Sequence, residues 1–386
     1  MKQLLHIEKL VFGGLGLART DEGVILVRDV LPGEKVSAVL DDNRGGQKCA
    51  KPVSIVEPSP HRRKPPCAHF GICGGCDWLF GDYEVQLSSK KEIFIECFKR
   101  IGKIFSPPDC EVFTSPEFGY RRRVQFKVNR KENALGFFKR KSQQVVSIRY
   151  CPLLQPTLNS LLATPEEIIH LLPSKTDQIK CITGQKNFIA SSPVLENRTA
   201  SFTEIHIGNH SFFVPGGGFF QSNTYLCEKL GSWAKGAIGG DYFADLYGGV
   251  GFLAVELHEC FIRGIVIDNI ESQIVFANKN IINNNIDHIT AKTISAENFL
   301  SECSVSGAAI DCLILDPPRL GLTKQVRESI VRCLPSTLLY VSCNPSTQAR
   351  DLGFFIRDGG YAIDKMALFD FYPNTHHIET VVLLKR

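Results

Sequence analysis

Residues Asp241–Gly251 read DYFADLYGGVG: an apolar run, a glycine-rich turn, and the start of a helical pattern. A strand that enters such a turn and then a helix opens a doubly wound α/β sheet. Its glycines let a ligand approach the backbone, and an acid at the end of the next strand accepts ribose hydroxyls. That acid is Asp268, 17 residues after Gly251. The turn alone is also what any α/β protein carries between strand and helix.

The spacing is not Gly-x-Gly-x-x-Gly. A dinucleotide's pyrophosphate needs that tighter pattern, whereas S-adenosylmethionine, which has no phosphate, tolerates a looser turn. Working outward, apolar runs predict strands at Tyr242–Leu246, Gly264–Asp268, Thr290–Ile294, Cys312–Asp316, Leu338–Ser342, Tyr361–Phe369 and Glu379–Leu384. Helical patterns separate the first five, so the chain from about Phe212 predicts a doubly wound sheet. The last two have no helix between them and should pair as a hairpin.

Two further segments end strands at the same sheet edge, where ligands bind in such folds. LILDPPR stops a strand at Asp316 and fixes a rigid turn with Pro317 and Pro318. Asp-Pro-Pro followed by an aromatic residue would suggest methylation of a base amino group; Arg319 stands there instead. LLYVSCNP ends the fifth strand at Cys343. A thiolate there is a strong nucleophile, although a lone cysteine is more often a small buried hydrophobe. In the common seven-stranded methyltransferase sheet the final strand runs antiparallel beside the fifth. The final strand begins at HHIETVVLL, which sets Glu379 near Cys343, where a carboxylate can act as a general base rather than a solvated edge residue. One thiol, one carboxylate and one methyl donor are what methylation of uracil carbon 5 requires. Thiol addition at carbon 6 gives carbon 5 carbanion character, and a base then removes its proton. The base must leave its stack to be reached.

Upstream, the first 58 residues carry turn signals FGGLG, DEG, LPGE and DNRGG between short β-rich runs. Five strands in that length predict a small barrel of the oligonucleotide-binding type. The basic, proline-rich PSPHRRKPP closes it. A helix is expected near Tyr83–Ile104, then a strand-rich middle from Tyr120 to about Ile207. Three domains follow: 1–58, 59–208 and 209–386, in keeping with 386 residues at roughly 150 per domain. The middle segment interleaves Arg121, Arg122, Arg123, Lys127, Arg130 and Lys131 with Tyr120 and Phe126. Phe137, Phe138, Lys139, Arg140 and Lys141 follow. Such a pattern suits phosphate contact with base stacking on single-stranded RNA, or a solvated strand face.

The net charge of +4 announces no nucleic-acid partner by itself, so any basic surface must be local. Fourteen cysteines, with no leader pattern in MKQLLHIEKLVFGG, point to a reducing cytoplasm. No run of about 20 apolar residues predicts a membrane span. In CAHFGICGGC, Cys67, Cys73 and Cys76 stand C-x5-C-x2-C, and Cys151 of RYCPLL lies 75 residues on. That spacing suits zinc or an iron–sulfur group equally. The remaining nine, Cys343 apart, read as buried hydrophobes.

Taken together, GGLGLAR…LPGE, CAHFGICGGC, GYRRR, FFQSN, DLYGGVG, LDPPR, VSCNP and HHIET resemble one family over nearly the whole chain. It is the bacterial RNA 5-methyluridine methyltransferases, in particular the iron–sulfur, TRAM-domain members acting on 23S ribosomal RNA. The resemblance implies a class I S-adenosylmethionine-dependent (Rossmann-like) methyltransferase domain behind a TRAM/OB-like barrel and a central iron–sulfur, β-rich domain. It implies a [4Fe–4S] cluster on Cys67, Cys73, Cys76 and Cys151, Cys343 as nucleophile and Glu379 as base. Gln221, Tyr247, Asp268, Asn298 and Asp316 match its cofactor-binding positions. Gly248 stands where the family often has Cys, Phe252 where it has Asn, and Asn374 and His376 where His and Gly are expected. The expected partner is RNA, 23S rRNA first, with no membrane and no protein partner. Other readings are a tRNA T-loop uridine, a non-catalytic RNA-binding assembly factor, which intact Cys343 and Glu379 argue against, and an iron–sulfur redox enzyme, for which no flavin-like or electron-partner pattern exists.

Overall fold

Six short strands open the chain: β1 (Lys2–His6), β2 (Lys9–Val11), β3 (Leu15–Thr20), β4 (Gly23–Val27), β5 (Lys35–Arg44) and β6 (Gln47–Glu57). They form one sheet in the order β1-β5-β6-β4-β3-β2, around Ile7, Ala18, Ile25 and Val36. The sequence suggested five, because three-residue β2 follows β1 too closely to read as its own run. The structure, a computed structural model, describes residues 2–44 and 46–386, so Gly45 of the DNRGG turn lies outside it.

Asp82 caps helix α1 (Tyr83–Cys97), its side chain accepting from Val85 N at 3.0 Å, as expected of an acidic N-cap. A wider-wound turn, Phe98–Gly102, continues it. Strand β7 (Cys110–Phe113) follows. Next, β8 (Arg123–Asn129), β9 (Ala134–Phe138), β10 (Val145–Ser147), β11 (Gln178–Thr183) and β12 (Ile189–Ser192) form an antiparallel sheet ordered β10-β9-β8-β11-β12. Between β10 and β11 lie two helices absent from the strand-rich reading, α2 (Pro156–Ala163) and α3 (Pro165–Leu171). They bury Leu158, Leu161, Leu162 and Ile168 against Phe126, Leu135 and Ile179. At about two turns each they are too short to declare a helical period.

Hairpin β13 (Phe202–Ile207) and β14 (His210–Pro215) pairs Ile207 with His210, so the expected boundary at 208/209 falls in its turn. The two strands are held by hydrogen bonds across that boundary. Helix α4 (Cys227–Lys235) then leads into alternating elements: β15 (Gly240–Leu246), α5 (Phe252–Leu257), β16 (Phe261–Asp268), α6 (Glu271–Asn283), β17 (Ile289–Thr293), α7 (Ala296–Ser306), β18 (Cys312–Leu315), α8 (Lys324–Cys333), β19 (Thr337–Ser342), α9 (Pro345–Gly359), β20 (Ala362–Phe369) and β21 (Glu379–Lys385). The sheet order is β17-β16-β15-β18-β19-β21-β20-β7. β15 to β19 run parallel; β21 is antiparallel to both β19 and β20. The central parallel strands β18 and β19 are buried along their whole length, as strands covered by helices on each side must be, while β17 at the edge is largely exposed. β7, from the middle of the chain, adds a parallel strand beside β20. Phe94 of α1 and Phe98 share a core with Leu352 and Phe355 of α9. Thus part of the 59–208 segment packs on the C-terminal sheet.

The link from β20 to β21, residues 370–378, is where the parts of the chain meet. Lys90 Nζ on α1 donates to Asp370 Oδ1 at 2.7 Å and to the Tyr372 carbonyl at 3.0 Å; neither the Lys90 nor the Asp370 side chain is exposed. Asn374, at φ 66°, donates its N–H to Gln86 Oε1 at 2.7 Å and its Nδ2 to the Glu117 carbonyl at 2.9 Å. Its Oδ1 accepts from Arg63 and Gln86, and its carbonyl from the N–H groups of Asp77 and Trp78. Removing one member of a buried ion pair leaves the other uncompensated, at a cost of about 3–5 kcal/mol. Lys90→Met should therefore destabilise the protein by that order, read as a lowered midpoint in urea. A loss below about 1 kcal/mol would show the pair to be dispensable.

Candidate active site

The turn after β15 carries three left-handed backbones: Tyr247 at φ 64°, Gly249 at 56° and Gly251 at 82°. Glycine adopts these freely; Tyr247 does so at a cost of about 1–3 kcal/mol, the kind of strain that gathers at ligand sites. At Gly248 a Cβ would meet Val266 Cγ1 at 2.7 Å and Asp245 Oδ2 at 2.9 Å, so a larger residue would need those side chains to shift. Asp268, half-buried at the end of β16, accepts from Gly249 N at 3.0 Å and Ile270 N at 2.8 Å, and keeps lone pairs towards the cleft.

Cys343 follows β19, and Asn344 caps α9 by accepting from Ser346 N at 3.0 Å, with Pro345 at its first position. Asn344 Nδ2 also donates to the Arg319 carbonyl at 2.9 Å, tying the Cys343 turn to the LDPPR turn. Ser342 pairs with Thr380, so Cys343 and Glu379 stand level on neighbouring strands, as the topology predicts. Both line one cleft of about 1130 Å³ with Gln221, Tyr247, Asp268 and Asp316. Asn298 does not line it: it lies exposed in the first turn of α7, its N–H bonded to Ser295 Oγ, because α7 starts outside the cleft wall. Phe252 is core, edge-on to Phe212 and Phe220.

Burial raises the acids of this floor. The Cys343 thiol is pushed up to about 12 by burial, then by Glu379 and Asp316, with Arg319 opposing. Burial lifts Asp316 to about 7 and holds Glu379 well above the usual carboxylate range, Asp316 adding to the latter. His377 is driven down to about 3 by burial and by His376 and Arg319; its Nδ1 accepts from Arg319 Nη2 at 3.4 Å. Gln221 Oε1 and Gln273 Oε1 are buried with no partner among the described residues, and both residues line the cleft. Gln273, Tyr372, His377 and Arg319 escaped the sequence reading as site residues. The only signal available was their place just beyond strand ends.

The cleft is also lined by Arg121, Arg123, Lys127, Lys139 and Arg140. Phe138 receives Lys127 Nζ at 4.8 Å from its centroid, and half-exposed Phe219 receives Arg123 at 5.4 Å. Not all of the basic, aromatic run faces outward. Tyr120 and Phe126 are fully buried, because β8 alternates and Phe126 points to the core, while Tyr120 donates to the Pro373 carbonyl at 3.0 Å. Arg130 serves the carbonyls of Ile169, Leu172 and Pro173 at the end of α3.

Cys67, Cys73, Cys76 and Cys151 line a separate small cavity. Asn159 of α2 clamps Cys151 at both its N–H and its carbonyl, at 2.8 and 3.0 Å. Among the described residues, no group of three or more His, Cys, Asp or Glu side chains is arranged to hold a metal ion. No helix among them is long and apolar enough to cross a membrane.

An α/β sheet with one antiparallel strand beside its fifth, and a large cleft at its carboxyl edge, defines a methyltransferase of the Rossmann-like class. A sequence model of the tRNA (uracil-5-)-methyltransferase family matches residues 203–386. An uncharacterized RNA methyltransferase of Aquifex aeolicus is 31% identical, over 99% of this chain and 98% of its own length. The 23S rRNA (uracil(1939)-C(5))-methyltransferase RlmD of Aromatoleum aromaticum is 26% identical, over 98% and 99%. In fold, the chain is similar to the Pyrococcus abyssi tRNA (uracil-54, C5)-methyltransferase solved with S-adenosyl-L-homocysteine: TM-score 0.78, 99% of both chains, 23% identity. The chain belongs to the RNA 5-methyluridine methyltransferase family and is an RNA (uracil-C5-)-methyltransferase.

A thiol near 12 is almost wholly protonated at neutral pH, and only its thiolate is alkylated. Alkylation of Cys343 by iodoacetamide in the free enzyme, followed by mass spectrometry, should be slow at pH 7. It should rise by about tenfold per pH unit up to pH 9. A rate flat across that interval would contradict the raised thiol.

Proposed function

We propose that this enzyme methylates carbon 5 of a uridine in 23S ribosomal RNA, in the cytoplasm, with S-adenosylmethionine as donor and Cys343 as a covalent nucleophile. The observation that carries the reading is the level placement of Cys343 and Glu379 at the floor of one cleft that basic residues also line. The donor site fits the chain's own groups. Asp268 offers carboxylate lone pairs to a ribose, the Tyr247–Gly251 turn has no phosphate to hold, and Gln221 and Gln273 bring unpaired amide oxygens. Asp316 completes the set. When bound, S-adenosylmethionine supplies an electrophilic methyl group on a sulfonium, which carbon 5 takes up.

The chain's residues do the rest. Cys343 gives up its proton to water and its sulfur bonds carbon 6 of the flipped base, moving the ring's electron pair to carbon 5 and O4. Once carbon 5 is methylated, Glu379 takes its proton. The electron pair returns to the ring, the sulfur–carbon 6 bond breaks, and Cys343 leaves as thiolate. Arg319, beside both groups, favours their ionised forms.

The division of labour follows the chain. Residues 1–58 act as a TRAM/OB-like RNA-binding module, 59–208 as the central module with the basic wall, and 209–386 as the catalytic part. Cys67, Cys73, Cys76 and Cys151 line one cavity, and four thiols are a donor set for a thiophilic group. A [4Fe–4S] cluster bound by these four would join the chain just before α2 to the 67–76 segment. A tRNA T-loop uridine is the second reading, favoured by the matching family's description. The full-length likeness to an RlmD favours rRNA.

Cys343→Ala should abolish both methylation and the covalent RNA complex. Glu379→Gln should transfer one methyl group and stay bonded to the RNA, seen as a slow band on a denaturing gel. Turnover by either variant at the parental rate would sink its assignment. Anaerobically purified protein should be brown and carry four iron atoms per chain by elemental analysis; stoichiometric zinc without iron would overturn the cluster.

A further inference from the structure

The link that joins β20 to β21 brings a third polar group to the Cys343–Glu379 pair. Tyr372 lines the same cleft, and Glu379, Cys343, Arg121 and Ser222 face its phenol. Its backbone is pinned. The carbonyl accepts from Lys90 Nζ at 3.0 Å, Thr375 N at 3.3 Å and Thr375 Oγ1 at 2.9 Å. The next carbonyl, of Pro373, accepts from Tyr120. The ring stands edge-on to His377, centroids 5.7 Å apart at 72°. The pinned backbone and the His377 ring fix where the phenol enters the cleft. Burial first, then the Glu379 and Cys343 charges, raise this phenol above its ordinary value, so it keeps its proton and can only be a neutral donor at working pH.

The chemistry of the ring says what such a donor meets. Cys343 addresses carbon 6 and Glu379 carbon 5. The next ring atom is carbon 4, with its exocyclic oxygen. When sulfur adds at carbon 6, the displaced electron pair rests on that oxygen as an enolate. We propose that Tyr372 is a catalytic residue whose hydroxyl hydrogen-bonds O4 of the target uracil as the Cys343 adduct forms. No proton is transferred: the phenol keeps its hydrogen, and the bond stabilises the enolate as an oxyanion hole does. Arg319, the cation that faces Cys343 and Glu379, is exposed and directs one guanidinium N–H to His377, while Arg121 faces the Tyr372 phenol itself. This inference rests on the covalent reading above.

The test is Tyr372→Phe, which deletes one oxygen and keeps the ring packing. RNA that the parent enzyme methylates is transcribed with 5-fluorouridine in place of uridine. After methyl transfer its carbon 5 carries fluorine, which no base removes as a proton, so the adduct accumulates and can be timed on a denaturing gel. At saturating RNA and S-adenosylmethionine, Tyr372→Phe should form the adduct about tenfold or more slowly than the parent. RNA affinity and melting temperature should be unchanged. An adduct rate equal to the parent's overturns the inference. So does a slowing that saturating RNA abolishes, since the hydroxyl would then be a binding contact alone. Should the parent itself form no adduct, the covalent reading fails first and separately.

Discussion

The register between β19 and β21 is the constraint on which the site depends. Ser342 opposite Thr380 sets a thiol and a carboxylate level at one sheet edge. A slip of one residue would turn every side chain of β21 to the other face and bury Glu379 away from the cleft. The register is held twice over. The apolar run Val381–Leu384 fills the core, and Thr380 Oγ1 donates to the Ser342 carbonyl or to Gln348 Oε1, at 3.2 and 2.8 Å. Core burial and a local hydroxyl network thus agree on one alignment.

That alignment would still leave the β20–β21 link adrift without the central segment. Asn374 explains how it is fixed. Its left-handed backbone suits asparagine, whose short amide tolerates φ above zero. The same amide then meets Arg63, Gln86 and Glu117. His376, the other residue that departs from the family pattern, pairs its Nδ1 with Asp77 at 2.7 Å. Asp77 adjoins Cys76, so the cysteine segment and the catalytic link form one body. Both departures are therefore part of a local solution for joining modules, and neither faces Cys343.

The sequence made the catalytic sheet legible because buried parallel strands appear as apolar runs. Strand order then followed from helices lying between them. The nearness of Cys343 to Glu379 was legible for the same reason, through topology and not through any local signal. What stayed hidden depends on tertiary contact. β7 is four residues long and finds its partner, β20, over 250 residues away. The helices α2 and α3 are too short to show a period. Tyr120 and Phe126 look like stacking residues beside their arginines, yet the core takes them. Asn298 matches the family pattern in sequence, yet it lies in the exposed first turn of α7, away from the cleft. Gln273 and Tyr372 carry no sequence mark, since an amide or phenol becomes a site residue only when a wall places it there.

Charge is sorted within the cleft in a way the near-neutral whole chain conceals. Arg121, Arg123, Lys127, Lys139 and Arg140 stand on one wall, and Asp268, Asp316 and Glu379 at the floor. Phosphates are attracted to the first and repelled by the second. A nucleotide entering with its backbone along the basic wall can lower only an uncharged part, the base, to the acids beneath. The floor in turn favours a cationic ligand, because burial has raised its carboxylates and a nearby positive charge restores their ionised forms. A neutral base and a cationic ligand are therefore the charges that the two surfaces favour.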